Sequence, residues 1–356
     1  MPDPRARRGV RHRLTVVVTA TVCAVVAGYR SYTAIAEWIA DAPATTAVAL
    51  GMTADRRPSE AMIRRLLQAM DPQPLTAAIG VWLAGRATAT TSTAGRAIAV
   101  DGKTLRGSRT TDTVARHVMT ACDQSTGVTL SSIDVDGKTT EITRFAPLLD
   151  QIPDLRDTVI TADALHCQRE HVTYLAERGA HWILTVKGNQ PHLRAQLTAL
   201  PWRAVPDAAR DTDRGHGRRE IRSCKILTIS TGIDFPHAAQ AIQIRRRRRR
   251  LDQPRRFTTE TVYAITDLRP HQAKPAQMAG WIRGHWSIEN KVHWVRDVTY
   301  DESRSQIRTG TGPEVMAALR NAAISALRLT GVTNIAAANR HHARDSTRPL
   351  ALLGIT

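Results

Sequence analysis

The chain has 356 residues, 42% hydrophobic and 23% charged, so it is long and apolar enough to form one large or two ordinary folded domains. Its 50 Lys and Arg against 32 Asp and Glu leave a formal net charge of +18, which favours nucleic acid as a partner first and an acidic membrane surface second. The four cysteines lie far apart without a C-x-x-C pair, which excludes a disulfide framework and a zinc ribbon.

The first 85 residues are predicted to form a helical domain. A basic segment followed by a short apolar stretch also matches a secretory signal, but no clean cleavage site precedes a change of composition. We therefore prefer a helical domain over 1–85, with a Thr-rich linker over 86–95. The helices predicted from apolar periodicity and caps are Leu14–Ala27, Tyr32–Ala40, one that begins near Ser59 and Leu75–Leu83.

Residues 96–190 alternate strand and helix patterns in the order β-β-β-α-β-α-β. This order predicts an α/β (α+β) fold with an RNase H-like mixed sheet flanked by helices, in which the first and fourth strands are neighbours. The predicted segments are the strand Ala97–Asp101, the hairpin Val114–Cys122 and Thr129–Val135, the helix Glu141–Gln151, the strand Thr158–Ala162, the helix Gln168–Arg178 and the strand His181–Val186.

Residues 191–270 have short alternating apolar runs and are predicted to be a β-rich insertion. The six arginines Arg245–Arg250 lie between two predicted strands, which indicates an exposed, mobile loop tip that contacts phosphates regardless of base sequence. Residues 271–330 return to a helical pattern, with helices over Met278–Asp297 and Glu314–Leu329. No element and no function is predicted for the polar tail 331–356.

Three acidic residues are the candidate catalytic groups. Asp101 and Asp163 each follow a short apolar run typical of a buried strand, and Glu289 lies in a Trp- and His-rich helical stretch. Three carboxylates would make an oxygen site for Mg²⁺ or Mn²⁺, which in a chain this basic favours cutting and joining of phosphodiesters. Taken singly, the two aspartates also fit an Asp-Gly turn and a helix cap.

The glutamate region leaves other interpretations open. His285, Glu289 and His293 share a helical face and could bind a transition metal, although the spacing is not H-E-x-x-H. The same face could be a polar stripe over a core of Trp281, Trp286 and Trp294. Asp297 and Glu302 are second choices for the third carboxylate.

Two basic turns are candidate phosphate-binding segments. Lys187-Gly188-Asn189-Gln190 follows a predicted strand and could offer a cation and backbone amides. The segment around His216, Arg218 and Arg222 enters another strand. Each is weak as an isolated motif.

Five ordered motifs together resemble the DDE transposases of the ISAs group of bacterial insertion sequences, with the H-repeat-associated proteins as close relatives. The resemblance covers almost the whole chain, including the N-terminal segment. The motifs are those that begin at Asp101, Thr161, Thr185, His216 and His285.

The resemblance implies an RNase H-like catalytic domain with a β insertion before the glutamate. It places the catalytic and metal-binding triad on Asp101, Asp163 and Glu289, with two Mg²⁺ or Mn²⁺ ions. Ile282 and His285 stand where the wider superfamily often has Tyr and Arg, and Arg296 replaces its Lys. The residues expected to contact DNA are Lys103, Arg106, Lys187, Asn189, His216, Arg218, Arg222, Arg283, His285 and Arg296.

The expected function is therefore cleavage and strand transfer at the ends of an insertion sequence. The expected partners are double-stranded DNA of the terminal repeats and of the target, bound by a homodimer or higher oligomer in the cytoplasm, at the nucleoid and away from membranes. One alternative is a relative that binds or cuts DNA without mobilising an element. Another is an exported or membrane-surface basic protein, based on residues 5–27.

Overall fold

The computed structural model describes residues 1–6, 8, 10–86, 95–135, 141–215, 217–253 and 256–355. Most of the proposed linker and His216 lie outside these residues. The chain forms two compact units. Unit 1 comprises Met1–Thr90, Gly102–Ile152 and Ser287–Thr356, and unit 2 comprises Thr91–Asp101 and Pro153–Trp286.

Most helices fall where apolar periodicity predicts them. Four unpredicted short helices, α3, α8, α11 and α12, are added to the pattern. The α-helices of the described chain are α1 Leu14–Val26, α2 Tyr32–Asp41, α3 Ala44–Ala49, α4 Glu60–Ala69, α5 Pro72–Ala84, α6 Glu141–Leu149, α7 Arg169–Glu177, α8 Pro191–Ala199, α9 Pro275–Gly284, α10 Gly312–Leu329, α11 Ile335–Ala343 and α12 Thr347–Leu353.

The strands confirm the predicted order and add one strand before the predicted insertion strands. They are β1 Ala97–Leu105, β2 Arg116–Asp123, β3 Thr129–Val135, β4 Val159–Ala162, β5 His181–Val186, β6 Ala209–Gly215, β7 Arg218–Thr228, β8 Gln240–Arg250 and β9 Thr258–Thr266.

Unit 1 is built around α10, which is buried along nearly its whole length. It packs against α1, α4 and α5, and the shared core includes Val17, Leu66 and Leu319. Ser31 and Ser59 cap α2 and α4 by accepting hydrogen bonds from backbone amides. Ile335 and Leu350 of α11 and α12 are buried in the same core, so the segment after Gly331 contributes to folding although its sequence predicted no element.

The strand order is β3-β2-β1 in unit 1 and β1-β4-β5-β9-β8-β7-β6 in unit 2. β2 and β3 form the predicted antiparallel hairpin. β1, β4 and β5 are parallel, and β9 continues the sheet in the antiparallel direction. A mixed sheet flanked by helices, with β1 beside β4, confirms the predicted fold class.

The six-arginine run is not a loop tip, and that prediction was wrong. Arg245–Arg250 form the last part of β8, and each arginine has a register partner in β7. Arg245–Arg248 are also paired with β9. The run forms a strand because β7 and β9 lie on either side and satisfy its backbone hydrogen bonds. The side chains of the run do not alternate in a way that predicts a strand.

Gly107 lies in the 3₁₀ turn that follows β1, against the backbone of the Glu302–Ser305 segment of unit 1. A Cβ at this position would lie 2.5 Å from the carbonyl oxygen of Glu302 and 2.7 Å from the amide of Ser305. Since both atoms belong to the backbone, they cannot move aside as a flexible side chain would. Only glycine fits without displacing the Glu302–Ser305 segment.

We therefore expect Gly107→Ala to destabilise the protein by roughly 1–3 kcal/mol, the usual cost of overpacking. Gly188→Ala is the matched control, since a Cβ there meets no described atom within 4 Å. Thermal unfolding of both variants measures the difference. Equal melting temperatures for the two would contradict the packing argument.

Candidate active site

Asp101 and Asp163 are brought side by side by strand pairing. Val100 of β1 is in register with Ala162 of the parallel strand β4, and each aspartate is the next residue in its chain. Equivalent positions on neighbouring parallel strands present their side chains at the same level of a sheet. Asp101 is partly buried and Asp163 is exposed. The register therefore sets the two aspartates at neighbouring backbone positions in unit 2.

Their local settings differ in one respect from the prediction. Asp163 does end its strand, and its Oδ1 accepts a hydrogen bond of 3.0 Å from the amide of Leu165, capping a 3₁₀ turn. Asp101, however, lies inside β1, which continues to Leu105. Asp101 is therefore part of a continuous strand and not of an Asp-Gly turn. Asp163 does cap a turn, as one interpretation of its sequence predicted.

His285, which follows α9, lies next to both aspartates. Its Nδ1 is 3.2 Å from the Thr161 hydroxyl, which also donates to the carbonyl of Ile98. Burial lowers the pKa of His285 below its usual 6.5 and outweighs the charges of Asp101 and Asp163, which raise it. At neutral pH the imidazole is therefore uncharged, and it hydrogen-bonds rather than acting as a cation.

A cavity of about 450 Å³ opens in unit 2 beside Asp163 and His285. Its floor is formed by apolar side chains of the sheet, such as Ile183 and Val262, and by α9. Positive side chains line its polar part, namely Lys187, Arg210, Arg222, Arg246 and Arg283. The cavity lining therefore combines Asp163 with five positive side chains, and it also includes the carboxylates of Asp211 and Glu260.

The turn after β5 has a structural contribution that its sequence did not show. The Asn189 side chain donates a 2.6 Å hydrogen bond to the Ala164 carbonyl, and Gln190 donates one of 2.8 Å to Cys167. Both bonds fix the loop that follows Asp163. Lys187 is exposed, so it can reach a phosphate, while the Asn189 amide is already engaged within the protein.

Three other predicted DNA contacts in unit 2 face carboxylates. Arg283 forms a 2.5 Å ion pair with Asp211. Arg222 is ion-paired with Glu220, and Arg218 lies 3.8 Å from the same carboxylate. These three positive charges are thus partly neutralised within the protein.

Glu289 belongs to unit 1 and does not lie in a regular α-helix. It begins a π-helical segment, Glu289–His293, and a second one follows over Val295–Thr299. π-Helical turns are rare and often occur at functional sites. The Glu289 side chain is 60% exposed, and its Oε2 lies 3.9 Å from Nδ1 of the buried His293. The single helix predicted to run to Asp297 was wrong.

The alternative of a tryptophan core beneath a polar stripe was also wrong. Trp286 and Trp294 are 48% and 56% exposed. The polar face around Glu289 is therefore not explained by a need to cover buried tryptophans.

Arg296 and Glu302 form a buried ion-pair cluster with Arg320. Arg296 and Arg320 lie 2.8 Å and 2.9 Å from separate oxygens of the Glu302 carboxylate, and all three side chains are at most 3% exposed. Burial alone would raise the pKa of Glu302, but the charges of the two arginines lower it to about 2. Arg296 is therefore a structural residue rather than a DNA contact, and both oxygens of Glu302 are already engaged by arginines.

Lys103 and Asp297 form a second pair in unit 1. The Lys103 Nζ lies 2.6 Å from Asp297 Oδ2, and the Ser303 hydroxyl donates to the other oxygen at 2.8 Å. Lys103 is 8% exposed, which corrects its prediction as a DNA contact, whereas Arg106 is exposed. Asp297 and Glu302, the second choices for the third carboxylate, are thus both engaged in ion pairs within unit 1.

Only one of these structural contacts left a sequence signal. Arg320 is a charged residue in the middle of an otherwise Ala- and Leu-rich helix that is buried, and a buried charge requires a partner. That partner is Glu302, 18 residues away in the sequence. Helical spacing within α10 does not predict this pair.

The chain matches two protein-family profiles that show its family and its enzyme class. The profile described as "Transposase DDE domain" matches residues 92–326, and that of its associated N-terminal domain matches residues 1–83. The chain belongs to the DDE transposase family. This transposase is a polynucleotidyl transferase, and the family generally uses divalent metal ions.

Two relatives from Escherichia coli illustrate the match. YncI of strain O157:H7, a candidate transposase, is 28% identical over 348 residues, which cover 92% of this chain and 85% of YncI. YhhI of strain K12, an H repeat-associated candidate transposase, is 28% identical over 345 residues, covering 92% and 88%. The similarity to both spans the N-terminal helices as well as the sheet.

Among solved structures, the piggyBac transposase synaptic complex with hairpin DNA matches 98% of this transposase and 75% of its own chain. The TM-score is 0.45 at 11% identity, a likeness too weak to support a structural argument. Within the part of the chain that the structure describes, no helix has the length and apolarity needed to cross a membrane.

Proposed function

We propose that Asp101, Asp163 and Glu289 are the catalytic carboxylates with which this transposase cleaves and joins DNA at the ends of an insertion sequence. The observation that supports this most is the register of β1 and β4, which sets Asp101 and Asp163 at neighbouring positions. The family assignment and the exposure of Glu289 on a π-helical segment support the third member.

The donor atoms of this set fit a hard divalent cation. Asp101 and Asp163 supply carboxylate oxygens, which Mg²⁺ and Mn²⁺ prefer as ligands, and the neighbouring His285 adds no positive charge at neutral pH because its pKa is lowered. We propose two Mg²⁺ or Mn²⁺ ions held by the three carboxylates. When bound, such ions activate the attacking hydroxyl and offset charge on the leaving oxygen.

The remaining residues position the nucleic acid. Lys187 and Arg106 are exposed and are proposed to hold phosphates near the carboxylates, with Arg283 and His285 as further contacts. His285 would donate or accept a hydrogen bond there as a neutral group. Three further proposed contacts must give up a partner within the protein to bind a phosphate, namely Asn189, Arg218 and Arg222. His216 is also a proposed contact, and it lies outside the described residues.

The partners follow from the reaction. The substrates would be the duplex terminal repeats and the target DNA, bound by a homodimer or higher oligomer in the cytoplasm at the nucleoid. The helical segment 1–85 and the β-rich segment 191–270 would dock this DNA, while 96–190 and 271–330 would carry the chemistry.

An assay on the gene's own flanking DNA tests this function. The purified protein is incubated with end-labelled duplexes that carry the flanks, and with scrambled duplexes as a control. We expect cleavage at the element boundary and joined products with Mg²⁺, and neither with EDTA. Cleavage that persists in EDTA, or that is equal on both duplexes, would contradict the proposal.

A further inference from the structure

The arginine strand β8 presents two different surfaces. Successive residues of a strand point to opposite sides of the sheet. We call the side of Arg245, Arg247 and Arg249 the odd face, and the side of Arg246, Arg248 and Arg250 the even face. Directly paired residues of neighbouring antiparallel strands share a face, so the register of β6–β9 assigns every neighbour to one side.

The even face contains the compensating negative charges. The row across β6, β7, β8 and β9 is Asp211, Arg222, Arg246 and Glu260. The Glu260 carboxylate lies 2.8 Å from Arg246 and 3.1 Å from Arg248, and Glu220 pairs with Arg222. Positive charge on this face is therefore largely balanced within the sheet.

The odd face has a different composition. At the described register positions of β6–β9 from Ala209 to Thr261, all acidic residues fall on the even face, while the odd face alternates arginine with Thr, Ser and Ile. The arginines of the odd face are Arg210, Arg214, Arg219, Arg245, Arg247 and Arg249.

Two contacts indicate that the odd face is an ordered surface. The guanidinium groups of Arg247 and Arg249 lie 4.7 Å and 5.3 Å from the ring centroid of Phe257, an arrangement that holds cations by their attraction to the ring. Arg245 and Arg247 are nevertheless exposed. The guanidinium of Arg247 is thus both held in place by the ring and open to a ligand.

The odd face also brings like charges together. Arg214, Arg219 and Arg249 stand directly opposite one another on three adjacent strands. Like charges directly opposite one another destabilise a sheet. A polyanion would relieve this repulsion, and arginine is the residue best suited to phosphate oxygens.

We infer that the odd-face arginines of β8 bind the phosphate backbone of duplex DNA, and that Arg246 and Arg248 on the even face of β8 do not. The inference rests on the proposed function and makes it more specific, because it assigns sequence-independent binding to alternate arginines of a single strand. The ligand is identified by its chemistry as a regularly spaced row of phosphates. Because no base-specific side chain is involved, affinity for the odd face should not depend on DNA sequence.

Two double variants test the inference within the same strand. Arg245→Gln with Arg247→Gln removes two charges from the odd face, and Arg246→Gln with Arg248→Gln removes two from the even face. Non-specific duplex binding is measured from 50 to 200 mM salt, roughly the range in which phosphate contacts dominate. The melting temperature of each variant is recorded so that misfolding is recognised.

The odd-face variant should lower the slope of log affinity against log salt by roughly 1.8, about 0.9 for each lost phosphate contact, while the even-face variant should change it by less than half as much. Equal losses, or none from the odd face, would overturn the inference. So would odd-face loss of binding to anionic lipid vesicles with unchanged DNA binding. Failure of the proposed function is separate, since it would appear as no Mg²⁺-dependent joining by the wild type whatever these slopes are.

Discussion

Replacing Asp101 or Asp163 with asparagine is expected to abolish strand joining while leaving DNA binding intact. Asparagine keeps the size of the side chain but removes the negative charge that a divalent cation needs. Losing the several kcal/mol of transition-state stabilisation that a metal supplies lowers the rate by roughly 10³-fold or more, at 1.36 kcal/mol for each tenfold. Glu289→Gln is expected to have the same effect.

Asp157→Asn is the matched control. Asp157 is exposed in unit 2, and its left-handed backbone, with φ 55°, is one that asparagine tolerates. Joining by this variant should equal that of the wild type. Binding of end DNA by all four variants should be unchanged or slightly tighter, because removing a carboxylate lowers repulsion of phosphates. Normal joining by Asp101→Asn or Asp163→Asn in Mg²⁺ would remove that residue from the mechanism.

The second large effect is expected at Glu302. Changing it to glutamine leaves Arg296 and Arg320 buried without their counter-charge, and breaking a buried pair in this way costs about 3–5 kcal/mol. Asp301→Asn is the control, since Asp301 is 41% exposed, its carboxylate lies 3.9 Å from an exposed Arg304, and its φ of 53° suits asparagine. Urea unfolding should separate the two variants clearly.

Glu302 should also make the free energy of unfolding depend on pH in the acid range. The folded-state pKa of Glu302, about 2, is below its ordinary value of 4.5, so its contribution is fully present above pH 4.5 and is lost as the pH falls toward 2. The wild type should therefore lose stability in this range faster than Glu302→Gln. Parallel acid-unfolding curves for the two proteins would contradict the assignment of both arginines to this carboxylate.

The sequence predicts correctly those strands and helix starts that depend on the residues within the same segment. The apolar runs before Asp101 and Asp163 become β1 and β4, and the order of elements between them fixes their pairing. The caps at Ser31 and Ser59 are likewise local. A candidate carboxylate pair could be predicted because each member directly follows a strand pattern.

The features that were missed depend on distant partners. Arg245–Arg250 have no apolar alternation of their own, and they form a strand because β7 and β9 lie on either side. Arg296 resembles a free cation in sequence, but Glu302 and α10 enclose it. The π-helical turns at Glu289 replace a regular helix without a proline or glycine to mark the change. In the first two cases tertiary contacts override a local pattern.

The most direct test is a Mn²⁺ titration of the complex with its end DNA, followed by electron paramagnetic resonance of the free ion. The wild type and Asp157→Asn should retain the same number of tightly bound ions, whereas Asp101→Asn and Asp163→Asn should each lose at least one. Identical stoichiometry and affinity in all four proteins would show that the two paired aspartates do not hold a metal.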